Sequence, residues 1–309
     1  MKAIICTGYG PPEVLQLADM PKPVPKDNEI LIRNHATSVT ASDAIVRGFK
    51  LRTWSRMGMM MRLVIGVRKP RQPIIGLVVA GEVESVGKNV TKFRPGDQVY
   101  GMTGLSFGGY GEYKAMSQNG AVARKPANMT FEQAAAVPYG GLIALHYLNL
   151  AKLQRGQNVL VYGASGAIGT AAVQLAKQHF GAHVTGVASA SNGALVQALG
   201  ADAFIDYTAA DAAQHLQRYD LVLDAVGEAK TSALKQQART ALTPDGQYIS
   251  VDDGGPQFNA EILTLLTTLI EAGQFHAVID TTYPLEQMAA AHHHVDQKHK
   301  KGNVIVTLA

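Results

Sequence analysis

The stretch Asn158-Val-Leu-Val-Tyr-Gly163-Ala-Ser-Gly166-Ala-Ile-Gly169 decides the fold. A short apolar run reads as a buried strand, the glycines as a turn, and Ile168–His179 as the helix that follows. Gly163 permits the tight turn, Gly166 lets backbone approach a pyrophosphate, and Gly169 lets the helix lie close on the strand. The first-turn N–H groups and the positive end of the helix dipole attract phosphate. Gly163, Ala164, Ser165, Gly166, Ala167, Ile168 and Gly169 are therefore candidate dinucleotide contacts. A lone glycine pattern would be weak, but the chain continues in the same style. Strand His183–Ala188, helix Gly193–Leu199, strand Ala203–Asp206, a short helix near Ala209–Leu216, strand Leu221–Ala225, helix Lys230–Leu242 and strand Gln247–Val251 follow. These βα units predict a parallel sheet covered by helices on both faces, with strands apolar throughout.

The end of the second strand selects the dinucleotide. An NAD site places Asp or Glu there for the ribose 2′-hydroxyl, and that charge repels a 2′-phosphate. Gly186-Val-Ala-Ser189-Ala-Ser191-Asn192 carries no acid. Ser189, Ser191 and Asn192 can donate hydrogen bonds, and Tyr207 past the third strand adds a phenolic donor. NADPH is expected, its 2′-phosphate held by neutral groups.

Upstream, Ala3–Cys6, Glu29–Ala36, Leu77–Ser85 and Gln98–Tyr100 read as short strands, and the five glycines of Gly101–Gly111 as a loop. Thr130 is the expected N-cap of a helix opening Phe131-Glu-Gln-Ala. Length fits one large domain or two ordinary ones, and 47% hydrophobic against 17% charged residues excludes disorder. The net charge of +4 is too mild to imply nucleic acid. Its sign is set by eight basic residues between Arg47 and Arg71, in a Met-rich stretch without Asp or Glu. That segment reads as a surface helix or a lid over a pocket. One cysteine excludes an internal disulfide and any site built on several thiolates. Cys6 is expected to be a buried apolar residue and His35 a structural histidine. No signal peptide or membrane-spanning run is visible, so a cytoplasmic protein is expected.

Five blocks carry a resemblance over essentially the whole chain. They are Gly76-Leu-Val-Val-Ala-Gly-Glu-Val-Glu-Ser-Val-Gly87, Phe93-Arg-Pro-Gly-Asp-Gln-Val-Tyr-Gly101, Gly108-Gly-Tyr-Gly-Glu-Tyr113, Pro126-Ala-Asn-Met-Thr-Phe-Glu-Gln-Ala-Ala-Ala-Val-Pro138 and the glycine turn. With the closing Gly302-Asn-Val-Ile-Val306, they resemble the zinc-independent, quinone oxidoreductase-like branch of the medium-chain dehydrogenase/reductase superfamily. The resemblance implies an α/β protein in two parts. A GroES-like β-barrel catalytic domain is expected over residues 1–125, completed by 275–309, and a doubly wound Rossmann domain over 126–274. It adds Val226 and Asn303 to the expected cofactor contacts.

Zinc-dependent members bind metal through a Cys after the first long strand and a Gly-His-Glu motif. This chain reads Thr37-Ser38-Val39-Thr40-Ala41-Ser42-Asp43 and Gly76-Leu77-Val78 at those places. No metal is expected, since catalytic zinc needs three protein ligands. Nor can His292-His293-His294 converge on one ion while helical; a solvated helix end is expected there. Three further departures stand out. Thr40 replaces an Asn common near the nicotinamide, Ile143 replaces a Thr, and the chain runs almost directly from Pro256 to Ile262, as though a sixth Rossmann strand were missing. Because that strand often pairs across dimers, a monomer or a homodimer using another surface is expected. Without metal, the resemblance implies hydride transfer from NADPH to a small conjugated acceptor, a quinone or α,β-unsaturated carbonyl. Thr40, Ser42, Asp43 and Tyr139 are candidate substrate contacts, with Asp43 also able to cap a helix. The alternatives are a broader carbonyl or alcohol oxidoreductase, and a weakly catalytic or non-catalytic NADPH-binding regulatory protein.

Overall fold

The computed structural model describes residues 1–49, 65–229 and 232–308. Most of the basic segment singled out above, residues 50–64, lies outside the described residues, as do residues 230–231 at the start of the helix expected from Lys230. The chain forms two compact units, one of Met1–Pro138, Phe258–Thr267 and Ile279–Ala309, the other of Tyr139–Gln257 and Thr268–Val278. Among the described residues, no helix is long and apolar enough to cross a membrane.

The first unit is a β-rich body. Strands β1 (Lys2–Cys6) and β2 (Leu15–Asp19) pair antiparallel. The long β3 (Glu29–Val39) pairs with β4 (Val78–Val86), β4 with β5 (Gln98–Met102), β6 (Tyr113–Ser117) with β3, and β5 with β7 (Ala121–Arg124). The register of β3 on β4 slips between Asn34 and Ala36. The buried Asn34 side chain fills that break: its Oδ1 accepts from the Ala80 N–H at 3.1 Å, and its Nδ2 donates to the Gly109 carbonyl at 2.8 Å. Buried ladder groups need such partners, and an amide offers both a donor and an acceptor. Ile30, Ile32, Val79, Val83, Val99, Met116 and Val122 form the core between these strands. The glycine-rich stretch expected as a loop starts inside β5, and Gly104–Ser106 forms a 3₁₀ turn.

Helix α1 (Ala41–Gly48) follows β3 directly, and α2 (Phe131–Ala135) starts at Thr130, whose side chain accepts from the Gln133 N–H as the sequence suggests.

Helix α3 (Pro138–Leu150) leads into the second unit, which holds strands β8 (Asn158–Tyr162), β9 (His183–Ala188), β10 (Ala203–Asp206), β11 (Tyr219–Asp224) and β12 (Leu242–Ser250). These form a parallel sheet of order β10-β9-β8-β11-β12, and the order reverses at the β8/β11 pair. Helix α4 (Ala167–Gln174) continues as one π-helical turn, Leu175–His179. Helices α5 (Gly193–Ala198) and α6 (Ala233–Thr240) complete the βα units. The sheet has five strands among the described residues, as the shortened connection after Pro256 suggests. Strand β12 begins earlier than the sequence pattern indicates, at Leu242. It pairs Leu242 with Tyr219, bulges, and resumes with Gln247 opposite Leu221. Pro244, Asp245 and Gly246 fall in that bulge, and such residues hide the earlier start from a strand pattern.

In the first unit the chain closes with β13 (Ile279–Pro284), α7 (Met288–Asp296) and β14 (Asn303–Thr307). Strand β14 lies between β13 and β3, so the C-terminal segment completes the sheet begun by the N-terminal one.

Candidate functional site

Three glycines shape the turn between β8 and α4, each for a different reason. Gly163 has φ +83°, and a Cβ there would sit 2.3 Å from Val226 Cγ1. At Gly169 a Cβ would lie 2.1 Å from the Gly163 carbonyl oxygen, so helix and strand approach closer than any side chain allows. Gly166 differs. It is the N-cap of α4 with φ −80° and ψ 177°, backbone that any residue adopts, and the nearest atom to a Cβ would be 3.7 Å away. Neither strain nor packing requires glycine there. The helix start has no side-chain cap, so its first-turn N–H groups face the space that Gly166 keeps open. This cradle fits a diphosphate bridge, and Ser165 and Ala167 flank it.

At the end of β9, Asn192 Nδ2 donates to Ser189 Oγ at 2.9 Å, and Ser191 Oγ lies 3.4 Å from Ser189 Oγ. With Asn192 as donor, the Ser189 hydroxyl proton is directed either to Ser191 Oγ or to a ligand. Asn192 Oδ1 is buried without a partner. The Tyr207 ring sits 6.4 Å from that of Tyr162 and is 37% exposed. The sequence reading missed Asp206 at the end of β10. The N–H and hydroxyl of Thr208 hold its carboxylate below the ordinary range, with help from the Ala190 N–H. A fixed negative charge therefore stands beside the Ser189–Asn192 turn.

In the first unit, Thr40 and Asp43 form a reciprocal cap at the start of α1. Thr40 N and Oγ1 donate to Asp43 Oδ2 at 2.9 and 2.7 Å, and Asp43 N donates to Thr40 Oγ1 at 3.1 Å. Thr40 is 3% exposed and Asp43 fully buried, while Ser42 is half-buried. Burial raises the Asp43 carboxyl to about 6, outweighing the Thr40 bonds that lower it. Tyr110 and His292 share a hydrogen bond of 3.0 Å, and burial drives His292 down to about 3, with the Arg47 charge adding to the effect. Arg47 itself is buried, its Nη2 2.6 Å from Asp296 Oδ2. Tyr139 is 7% exposed in the second unit, and Asn303, at 5%, opens β14 in the first.

The three consecutive histidines point to three different partners: His292 to Tyr110, His293 to Glu13 at 2.7 Å, and His294 to Asp280 at 2.7 Å. The expected solvated helix end is corrected for His292, which is fully buried because α7 turns that face onto Tyr110. Among the described residues, no group of three or more His, Cys, Asp or Glu is placed to hold a metal ion. His35 stacks on Phe131 at 4.5 Å, and Cys6 is buried with its thiol donating to the Gly8 carbonyl.

Residues 26–127 match the family model of the alcohol dehydrogenase GroES-like domain, and residues 167–270 and 252–306 match models described as zinc-binding dehydrogenase. The quinone oxidoreductase of Sus scrofa is 32% identical over 98% of this chain and 95% of its own length. The chain belongs to the medium-chain dehydrogenase/reductase superfamily. Within it, the similarity runs to the quinone oxidoreductase-like branch. The chloroplastic NADPH-dependent alkenal/one oxidoreductase of Arabidopsis thaliana is 30% identical over 99% of this chain and 79% of its own length. The quinone oxidoreductase structure from Coxiella burnetii, 27% identical, superposes with a TM-score of 0.82 over 100% of this chain and 99% of the other. Superfamily membership implies a nicotinamide dinucleotide, and the Gly163–Gly169 cradle is the part of this chain that fits one.

Proposed function

We propose that this chain is an NADPH-dependent oxidoreductase that delivers hydride to a quinone or an α,β-unsaturated carbonyl without a catalytic zinc. The observation that carries the reading is Gly166, a glycine whose backbone and surroundings would accept a side chain. Its missing Cβ leaves room for a phosphate against the α4 N-terminus. Kinship with proteins named for quinones and alkenals supplies the acceptor class. Bound NADPH would supply hydride from C4 of its nicotinamide. A conjugated acceptor carries its own electron sink, whereas a simple ketone needs a Lewis acid. By the resemblance, Thr37–Asp43 and Gly76-Leu77-Val78 stand where zinc-dependent members carry their Cys and His ligands, and neither stretch holds a Cys or His.

The chain's own residues then bind, orient and exclude water. Gly163–Gly169 and Val226 would take the diphosphate region, and Ser189, Ser191, Asn192 and Tyr207 the ribose end. Thr40 gives its N–H and hydroxyl to Asp43 Oδ2, and this cap sets the start of α1. Ser42 and Tyr139 are proposed as substrate contacts and Asn303 as a cofactor contact. NADPH oxidation is expected with quinones and enals, not with simple ketones, and with equal rates before and after chelation. Ketone reduction that requires added zinc would sink the reading. Tight NADPH binding without turnover across the whole panel would favour a regulatory protein instead.

Asp206 opposes a 2′-phosphate, so Asp206→Asn is expected to raise the preference for NADPH over NADH about fivefold at low salt, less at high salt. Paired KM measurements for the two coenzymes check this, and an unchanged ratio would remove Asp206 from the pocket.

A further inference from the structure

Asp224 closes β11 and is 1% exposed, yet its carboxylate meets five donors. Lys235 Nζ lies 2.6 Å from Oδ2, and the Tyr248 hydroxyl donates to the same oxygen at 2.9 Å, with Ser250 Oγ at 3.4 Å. The N–H groups of Val226 and Gly227 each donate to Oδ1 at 3.2 Å. Lys235 is 5% exposed and also donates to the Gly227 carbonyl at 2.5 Å. Nothing in the hydride chemistry uses this ion pair. Two charges removed from water are costly to keep, and a pair buried at the carboxyl end of an inner strand points to what it holds in place.

It holds the loop after β11. Val226, second in that loop, fills the space where Gly163 lacks a Cβ. A second tether leaves the same helical turn: Ser232, the N-cap of α6, accepts from the Lys235 N–H at 3.1 Å and shares a 2.7 Å hydrogen bond with the Tyr162 hydroxyl. Tyr162 is the last residue of β8, immediately before Gly163. The first turn of α6 therefore grips the carboxyl ends of β8 and β11 together. That pair is where the strand order reverses, and ligands of open α/β sheets bind outside the carboxyl ends at that point.

We propose that Lys235 is a positioning residue for the dinucleotide: acting through Asp224, it sets the 225–227 loop against the glycine turn and, with Ser232 on Tyr162, fixes the opening between β8 and β11. The inference rests on the cofactor reading above. Lys235 touches no reacting atom, so its effect falls on coenzyme affinity and its KM more than on kcat.

The test is calorimetric titration of NADPH into the full chain and its variants, at a temperature well below every melting midpoint. Lys235→Gln is expected to weaken binding roughly tenfold, and Tyr162→Phe, which removes only the second tether, about threefold. Asp224→Asn combined with Lys235→Gln removes the uncompensated charge and is expected to regain part of the affinity while staying at least about threefold below the parent. Leu153→Ala, a buried truncation at the amino end of β8, lowers stability without touching the brace and is expected to bind like the parent. Parent-like affinity in Lys235→Gln overturns the inference, as does an equal loss in Leu153→Ala. Should Lys235→Gln fail to fold, the double variant decides, with parent-like affinity again overturning the inference. A parent chain that binds neither NADPH nor NADH instead overturns the cofactor reading, and this inference with it.

Discussion

Gly166→Ala is expected to fold as well as the parent chain and to bind NADPH about a hundredfold more weakly. Its backbone, φ −80° and ψ 177°, suits alanine, and the nearest atom to the new Cβ would be 3.7 Å away. Two small effects on stability oppose each other. Alanine is a poorer N-cap than glycine, while losing a glycine reduces the freedom of the unfolded chain, each by about 1 kcal/mol or less. The melting midpoint should move by no more than a few degrees. Binding has no such compensation. A methyl at the N-cap stands off the phosphate from the first-turn N–H groups, and hydrogen bonds to charged partners are worth about 1.5–3 kcal/mol each. Gly169→Ala is the contrasting case. Its Cβ would lie 2.1 Å from the Gly163 carbonyl oxygen and 2.7 Å from Ala164 Cα, both backbone, so the fold itself gives way by about 1–3 kcal/mol or more. Thermal melts and NADPH titrations on the two variants separate space kept for a ligand from space needed for packing. Undiminished affinity in Gly166→Ala would leave the cradle without a ligand.

Acid should expose a hidden opposition inside the first unit. Burial lifts Asp43 to about 6 from an ordinary value near 4, so the native state holds a proton that the unfolded chain releases. Its contribution to stability therefore declines as pH rises from about 4 to 6, by about 3 kcal/mol in all. His292 runs the other way. Burial and the nearby Arg47 charge lower it to about 3, so below about 6.5 the unfolded chain takes a proton that the native state refuses. Stability is lost as pH falls from about 6.5 towards 3, up to about 5 kcal/mol. Between pH 4 and 6 the two slopes offset each other. Asp43→Asn keeps an acceptor for Thr40 but removes the titration, leaving His292 unopposed. Urea unfolding from pH 7 down to 4 should show this variant losing about 3 kcal/mol more than the parent. Parallel profiles for the two proteins would mean that Asp43 does not carry the proton.

What the sequence disclosed follows from how local each cause is. The glycine turn was legible because turn, close approach and helix packing each need a missing Cβ within a dozen residues. The buried strands were legible because Val159–Tyr162 and Leu221–Leu223 are unbroken apolar runs. His292 was not, since its burial depends on Tyr110, 182 residues away in the chain. Asp206 escaped because a dinucleotide fold ordinarily carries its ribose-end acid on the second strand, while this charge ends the third and is fixed by Thr208. The Asp224–Lys235 pair was invisible for the same reason: an acid ending a strand and a lysine in a helix look solvated until the sheet brings them together.

The bulge in β12 also shapes one border of the parallel sheet, where β12 is the last strand among the described residues. Only Gln247–Ser250 runs in regular register with β11, and the approach to it is broken by Pro244, which has no N–H to give, and by the charge on Asp245. A rim so short and interrupted is a poor template for strand addition. An incoming strand finds few evenly spaced donors and acceptors there, so that border is a poor seed for edge-to-edge growth.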